Sequence, residues 1–202
     1  MRDFNKNPNY HGFTMVELLI TIVVAGVLLG IAAPNFSDAM LNSRQVVKTN
    51  ELMGALKIAR SEAIKRSTRT AVCARGDDDT CGDKWSNGFL VFVDNESMPG
   101  VIDGGEEILR VAEPIEGASW ILNRARLVNT GESPLQRPFI RFGPRGTSNW
   151  RGSGFFMLCD GRGDEAARAL NISLSGDPRR ARREDGDLIN SFGGTAQCGK
   201  GE

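Results

Sequence analysis

Histidine is nearly absent from this 202-residue sequence: the only one, His11, lies ahead of an apolar run that begins at Phe13. With the leading segment removed the working chain has no imidazole, which excludes Ser-His-Asp and Cys-His nucleophilic sites and metal sites built on histidine. Net charge is missing too. Lys+Arg 25 against Asp+Glu 25 cancel, so bulk charge selects no partner, and 40% apolar with 25% charged residues excludes an acidic disordered chain. The length is close to the ~100–200 residues of one ordinary domain and leaves no room for a large multidomain enzyme. A lysine or carboxylate base survives these exclusions, but no catalytic constellation accompanies one, so the chain reads as a non-enzyme without a cofactor. There is no internal repeat and no CxxC pair, and every positive side chain between Lys84 and Lys200 is arginine.

The neutral total hides local polarity. Residues 34–70 carry seven basic and three acidic side chains, 71–117 three and eleven, 118–158 six and one, and 159–202 seven and eight. Phe13 to Ala33 reads FTMVELLITIVVAGVLLGIAA, 21 residues with Glu17 as the sole charge. About 20 such residues, rising ~1.5 Å each, cross ~30 Å of hydrocarbon. A secretory signal peptide has a shorter apolar region, ~7–15 residues, followed by a small-residue cleavage site. Here Ala32 and Ala33 run straight into Pro34. Phe36 to Arg66 then lacks proline and keeps helical spacing, with Leu52, Leu56, Ala59 and Ala63 at i, i+4, i+7 and i+11. The spacing predicts one long helix, about 54 residues or roughly 80 Å, bent at Pro34 and softened at Gly54. Its first half outruns any cover the rest of the chain can supply and must be buried in lipid or in partner helices.

After Arg69 the pattern turns to short apolar or alternating runs separated by Gly, Asp, Asn and Pro. Strands are expected near Thr70 to Ala74, Gly88 to Asp94, Ile108 to Ala112, Trp120 to Leu127, Phe139 to Phe142, Phe155 to Cys159 and Leu170 to Leu174. They make an antiparallel β domain whose core is the amphipathic face of the preceding helix. The Gly- and acid-rich segment Asn95 to Glu107 and the tail from Ser191 are expected at the surface.

Gly12-Phe13-Thr14-Met15-Val16-Glu17, with a polar leader before it and an apolar run after it, resembles the processing site of type IV pilins and type II secretion pseudopilins. Ala59-Arg60-Ser61-Glu62-Ala63-Ile64-Lys65-Arg66 looks like the helix end of the H-type minor pseudopilins, the GspH/FimT/FimU group. Cys73, Cys81, Trp85 through Asp94 and Ile108-Leu109-Arg110 continue that likeness, and Phe142 to Gly146 and Phe155 to Cys159 carry it more loosely. The resemblance implies an α+β, pilin-like fold in four parts. These are a leader peptide 1–12, a transmembrane and assembly helix 13–34, an amphipathic helix 35–67 and a periplasmic antiparallel β domain 68–202. It implies cleavage after Gly12 by a prepilin peptidase, methylation of the new amine at Phe13, an assembly role for Glu17 and a helix bend at Pro34.

A carboxylate in a membrane helix costs something like 2.5–3.5 kcal/mol at the centre and less toward the edge. The family accounts for it by pairing Glu17 with the Phe13 amine of an adjacent subunit. A glutamate snorkelling to water from ~6 Å below the new terminus is the plainer alternative. The implied protein is a minor pilin of type IV pilus biogenesis, in a priming or tip complex, structural and not catalytic. It would sit in the bacterial inner membrane with a single pass and a periplasmic C-terminal domain. Its partners would be other minor and major pilins or pseudopilins. The H-type component of a type II secretion system and a pilus-tip DNA receptor are the alternatives.

All four cysteines follow the apolar run, on the translocated side, where an even count implies disulfides with three possible connectivities. Order along the chain favours Cys73 with Cys81 and Cys159 with Cys198, the first closing a short acidic loop and the second tying down a glycine-rich tail. Asp77 to Asp83 has the acid density of a calcium loop but holds Gly88 where the twelfth-position glutamate belongs, so no metal site is assigned. The densest positive charge is Arg179, Arg180, Arg182 and Arg183. Guanidinium forks suit phosphate, which makes DNA the candidate ligand there. Glu184, Asp185 and Asp187 offset the cluster, and Asp177-Pro178-Arg179 displaces Gly176 from the Gly-Arg-x-Arg element of DNA-receptor relatives.

Overall fold

The computed structural model describes residues 12–94, 98–103, 105–114, 120–125, 135–136, 139–150, 153–189, 193 and 195–198, and of 32–35, 120–125, 135–136 and 153 the backbone only. The leader ahead of Gly12 and the side chain of Pro34 lie outside that description, as do parts of the segment 95–107 and of the C-terminal tail. The chain divides into two compact units, one ending at Asn42 and one running Ser43–Glu202.

Helix α1 spans Met15–Lys65, 51 residues. It stops through backbone geometry and not through proline or glycine. Ser67 takes the left-handed conformation with φ 51, Thr68 N–H reaches Ala63 O at 3.1 Å and Ser67 N–H reaches Ile64 O at 3.2 Å. That pair of bonds is a Schellman ending, with serine where glycine is usual. Thr70 Oγ1 then donates to Ala59 O at 2.6 Å, tying the first strand back to the helix.

Thirteen strands are described, in three antiparallel sheets. The first sheet contains β1 (Thr70–Arg75), β2 (Cys81–Gly82), β3 (Phe89–Val93), β4 (Ile108–Val111) and β7 (Phe139–Phe142). β1 pairs β3 on one side and β7 and β2 on the other, and β4 lies beyond β3. The second sheet is ordered β10-β9-β8-β5-β6, with β5 Trp120–Ala125, β6 Leu135–Gln136, β8 Ser153–Cys159, β9 Arg168–Ser173 and β10 Pro178–Arg180. The third sheet joins β11 (Arg183–Glu184), β12 (Asp187–Ile189) and β13 (Thr195–Ala196). All seven strands expected from the sequence are present. Six further strands lie outside that expectation, the two-residue β2 and β6 and four short ones from Pro178 onward.

One core joins α1 to both larger sheets. Leu52, Ala55, Leu56, Ala59 and Ala63 are buried against Val72 and Val91 of the first sheet and Phe156 and Leu170 of the second. The alanines let the helix approach closely. Trp85 meets Phe156 edge-on at 4.8 Å, and Trp150 lies 5.2 Å from the same ring. Each sheet is buried on its outer face as well. Ala71, Cys73, Leu90 and Phe92 are covered by Ile102 and Phe139, and Phe155, Met157 and Ala169 by Leu188 and Ala196 of the third sheet. The segment expected at the surface is therefore partly tucked in. Gly100 sits against Phe139 with φ +79, and a Cβ there would fall 2.3 Å from the Phe139 ring. No side chain larger than hydrogen fits.

Candidate functional site

The first unit presents its apolar surface to the outside. Phe13 is 80% exposed, Met15 81% and Ile31 65%, and the leucines, isoleucines and valines between them are exposed as well. Among the described residues no single helix is long and apolar enough to cross a membrane, but Met15–Ile31 and Phe36–Lys65 taken together pass by length and composition. So much uncovered apolar area, at about 25 cal/mol per Å², requires lipid or protein cover. Gly12, Phe13 and Thr14 are non-helical and exposed, so the expected cleavage point precedes the helix. Glu17 lies in the helix's first turn and is exposed.

In the second unit Cys73 is joined to Cys81 and Cys159 to Cys198, with Cα separations of 5.6 and 5.9 Å, and no described cysteine is free. The acidic turn between the first pair closes on itself. Arg75 Nε meets Asp79 Oδ1 at 3.0 Å, and Asp78 and Asp79 take positive φ. Among the described residues no group of three or more His, Cys, Asp or Glu could hold a metal ion.

The arginine cluster is divided between two sheets. Arg179 and Arg180 belong to β10, and Arg183 opens β11. Arg179 Nε pairs with Asp177 Oδ2 at 2.8 Å, and Arg180 Nη2 donates to Asn50 Oδ1 on α1 at 2.6 Å. Arg183 donates to Gly186 O at 2.6 Å, Asp164 O at 3.0 Å and Ala167 O at 2.6 Å. Only Arg182 keeps its guanidinium without a hydrogen bond or ion pair among the described residues. Arg183 is thus a fastener for the third sheet. Arg183→Ala is expected to lower stability by about 1 kcal/mol, while Arg182→Ala leaves it within about 0.5 kcal/mol. Urea unfolding of the two variants checks this, and equal midpoints would contradict it.

Two buried aspartates escaped the sequence reading. Asp94 is fully buried at the end of β3, accepting from Gly100 N–H at 3.0 Å and from Arg141 Nη2 at 3.1 Å, with Arg141 Nε 3.0 Å from Oδ2. Burial pushes its carboxyl up from the ordinary value, against the pull of Gly100 N–H and Arg141. Asp160, 2% exposed, accepts from Gln45 Nε2 at 2.7 Å and from Arg162 Nη2 at 2.7 Å. The Arg162 hydrogen bonds hold its carboxyl below the ordinary value despite burial. Both are internal ties, one for the loop over the first sheet and one for α1 against the end of β8.

A helix uncovered and apolar at its start, and amphipathic where it enters a disulfide-tied antiparallel β domain, is a pilin-like α+β fold. The family described as Type II transport protein GspH matches residues 48–177, and the Prokaryotic N-terminal methylation motif matches residues 7–33. The chain therefore belongs to the GspH family, whose model spans more than half of it, and carries the methylation motif at its amino end. The type IV major pilin protein PilA of Myxococcus xanthus (strain DK1622) is 43% identical over 51 residues, 25% of this chain and 23% of that protein. The chain thus matches about a quarter of that relative's length. The type IV minor pilin FimU of Pseudomonas aeruginosa (strain PAO1) shares the fold, with a TM-score of 0.51 and 19% identity over 72% of this chain and 92% of that one.

Proposed function

We propose that the protein is a structural minor pilin of type IV pilus biogenesis, joining a priming or tip complex. The observation that supports this reading is the uncovered apolar start of α1 on a chain whose second unit closes a core of its own. Such a subunit is stored with its helix in the inner membrane, in a single pass with the β domain in the periplasm. It is then covered by the helices of other minor and major pilins. In this reading prepilin peptidase cuts between Gly12 and Phe13, the Phe13 amine is methylated, Pro34 bends the rod and Glu17 serves assembly. The description of the matching family favours a second reading, the H-type pseudopilin of a type II secretion system. A DNA-receptor role would rest on Arg179 and Arg182, since Arg180 and Arg183 are spent on the fold. Two phosphate contacts give a log–log salt slope of about −2 on duplex DNA, against −3 to −4 for all four.

Intact-mass measurement on protein extracted from membranes is expected to show loss of residues 1–12 and one methyl group on Phe13. In the same cells Glu17→Ala is expected to reduce pili or secretion while leaving the thermal transition of the β domain unchanged. A mature chain that retains Met1, or assembly untouched by the substitution, would sink this reading.

A further inference from the structure

The amino end of α1 closes on itself. Glu17 N–H donates to Thr14 Oγ1 at 3.2 Å, and Thr14 N–H donates to Glu17 Oε2 at 3.5 Å. Leu18 N–H reaches Thr14 O at 3.1 Å, which makes Thr14 the cap residue and Met15 the first residue of the helix. A threonine at the cap and a glutamate three residues on, bonded reciprocally, form a capping box. Two backbone donors that would otherwise be unsatisfied at the helix start are thereby paired.

We propose that Thr14 is a positioning residue for Glu17. Through the capping box it holds the carboxylate on its own chain, beside the residue that carries the processed amine, before any partner subunit is present. The proposal rests on the processing reading for its function but not for its geometry. A free helix end in an apolar medium leaves N–H groups with no water to bond, and a lone carboxylate there lacks any partner. The box meets both needs at once, and the positive end of the helix dipole favours the same charge. The stored subunit therefore carries Glu17 already oriented toward the amino end. Assembly exchanges one partner for another and does not have to find the carboxylate in an arbitrary rotamer. Losing the box frays the first turn and does not lengthen the helix, so Gly12 and Phe13 stay non-helical and cleavable.

The test uses the full, unprocessed chain in detergent micelles, with hydrogen exchange of the Thr14 and Glu17 amides read residue by residue. Thr14→Ser and Glu17→Gln keep the box and are expected to exchange as the parent does. Thr14→Val and Glu17→Ala break it and are expected to exchange about fivefold faster, the factor a lost cap carries. The contrast between Glu17→Gln and Glu17→Ala separates the hydrogen bond from the charge. Parent-like exchange in Thr14→Val, or exchange in Glu17→Gln as fast as in Glu17→Ala, would overturn the proposal. Cleavage at Gly12 is scored apart, by intact mass after adding peptidase. An uncut parent chain refutes the processing reading and leaves the exchange result standing.

Discussion

Replacing Arg141 by methionine is expected to cost about 3–5 kcal/mol at pH 7, because it strands the Asp94 carboxylate in the interior. Asp94 has no exposed surface, and its remaining partner would be Gly100 N–H. The pH dependence follows from the direction in which the carboxyl already titrates. Burial holds it above its ordinary value, helped by the nearby Glu106 and Asp103 and opposed by Gly100 N–H and Arg141. A carboxyl raised on folding contributes stability that is fully present below its unfolded value and lost as pH rises through its folded value. Removing Arg141 lets that folded value climb further. The deficit of Arg141→Met should therefore be largest at neutral pH and shrink toward the lowest pH at which the protein stays folded. Asp160 behaves in the opposite sense: its lowered carboxyl contributes stability above the unfolded value, lost as pH falls through the folded one. Adding Asp94→Asn to the Arg141 variant should recover most of the loss, since no unpaired charge remains. Denaturant titrations of the parent, single and double variants across pH decide the matter. A pH-independent deficit, or a double variant no better than the single one, would show that Arg141 acts by packing alone.

The parts legible in the sequence are those where local pattern and tertiary need coincide. Leu52, Leu56, Ala59 and Ala63 repeat at helical spacing because one face of α1 is covered, and the structure buries all four. β1 and β3 are runs apolar enough to read as strands whichever face they cover. The helix stop at Ser67 was not marked by glycine, so only its bonds to Ala63 and Ile64 reveal how the turn is made. The strands from Pro178 onward are two or three residues long, and half of their residues are charged. They exist because β9 and the Cys159–Cys198 link offer them something to pair with. The arginine run looked like one phosphate-facing patch because sequence proximity carries no direction. Folding sends Arg180 to α1 and Arg183 to the carbonyls of Asp164 and Ala167. Thr14-x-x-Glu17 was present as a capping signal all along, but the charge of Glu17 drew the reading toward a partner subunit. Asp94 and Asp160 gave no signal, since nothing in a run of sequence tells which aspartate will be enclosed.

Removing the Cys159–Cys198 disulfide by a double alanine substitution is expected to cost about 4 kcal/mol, against about 2.5 kcal/mol for Cys73–Cys81. In the chain-entropy account the gain grows with the length of loop closed, and the separations are 39 and 8 residues. Alanine is the better replacement because Cys73 and Cys159 are fully buried, and a serine hydroxyl would add a polar group to desolvate. The structural setting widens the difference. Cys73 and Cys81 bracket a hairpin already held by the β1–β2 pairing and the Arg75–Asp79 bridge. Cys198 instead follows the last short strand of the third sheet, whose buried apolar side chains among the described residues are Leu188 and Ala196. Without the bond, what holds that sheet among the described residues is those two contacts, Cys198 N–H donating to Asp164 Oδ1, Asn171 Nδ2 donating to Ile189 O at 3.1 Å and the Arg183 fastener. Thermal unfolding should show a fall of about 10 °C for the long-loop variant. Hydrogen exchange should show β11 to β13 opening ahead of the core around Phe156, as a locally unstable unit does. Equal shifts for the two variants would mean that the tail is held by its packing, and a larger shift for the Cys73 variant would reverse the argument.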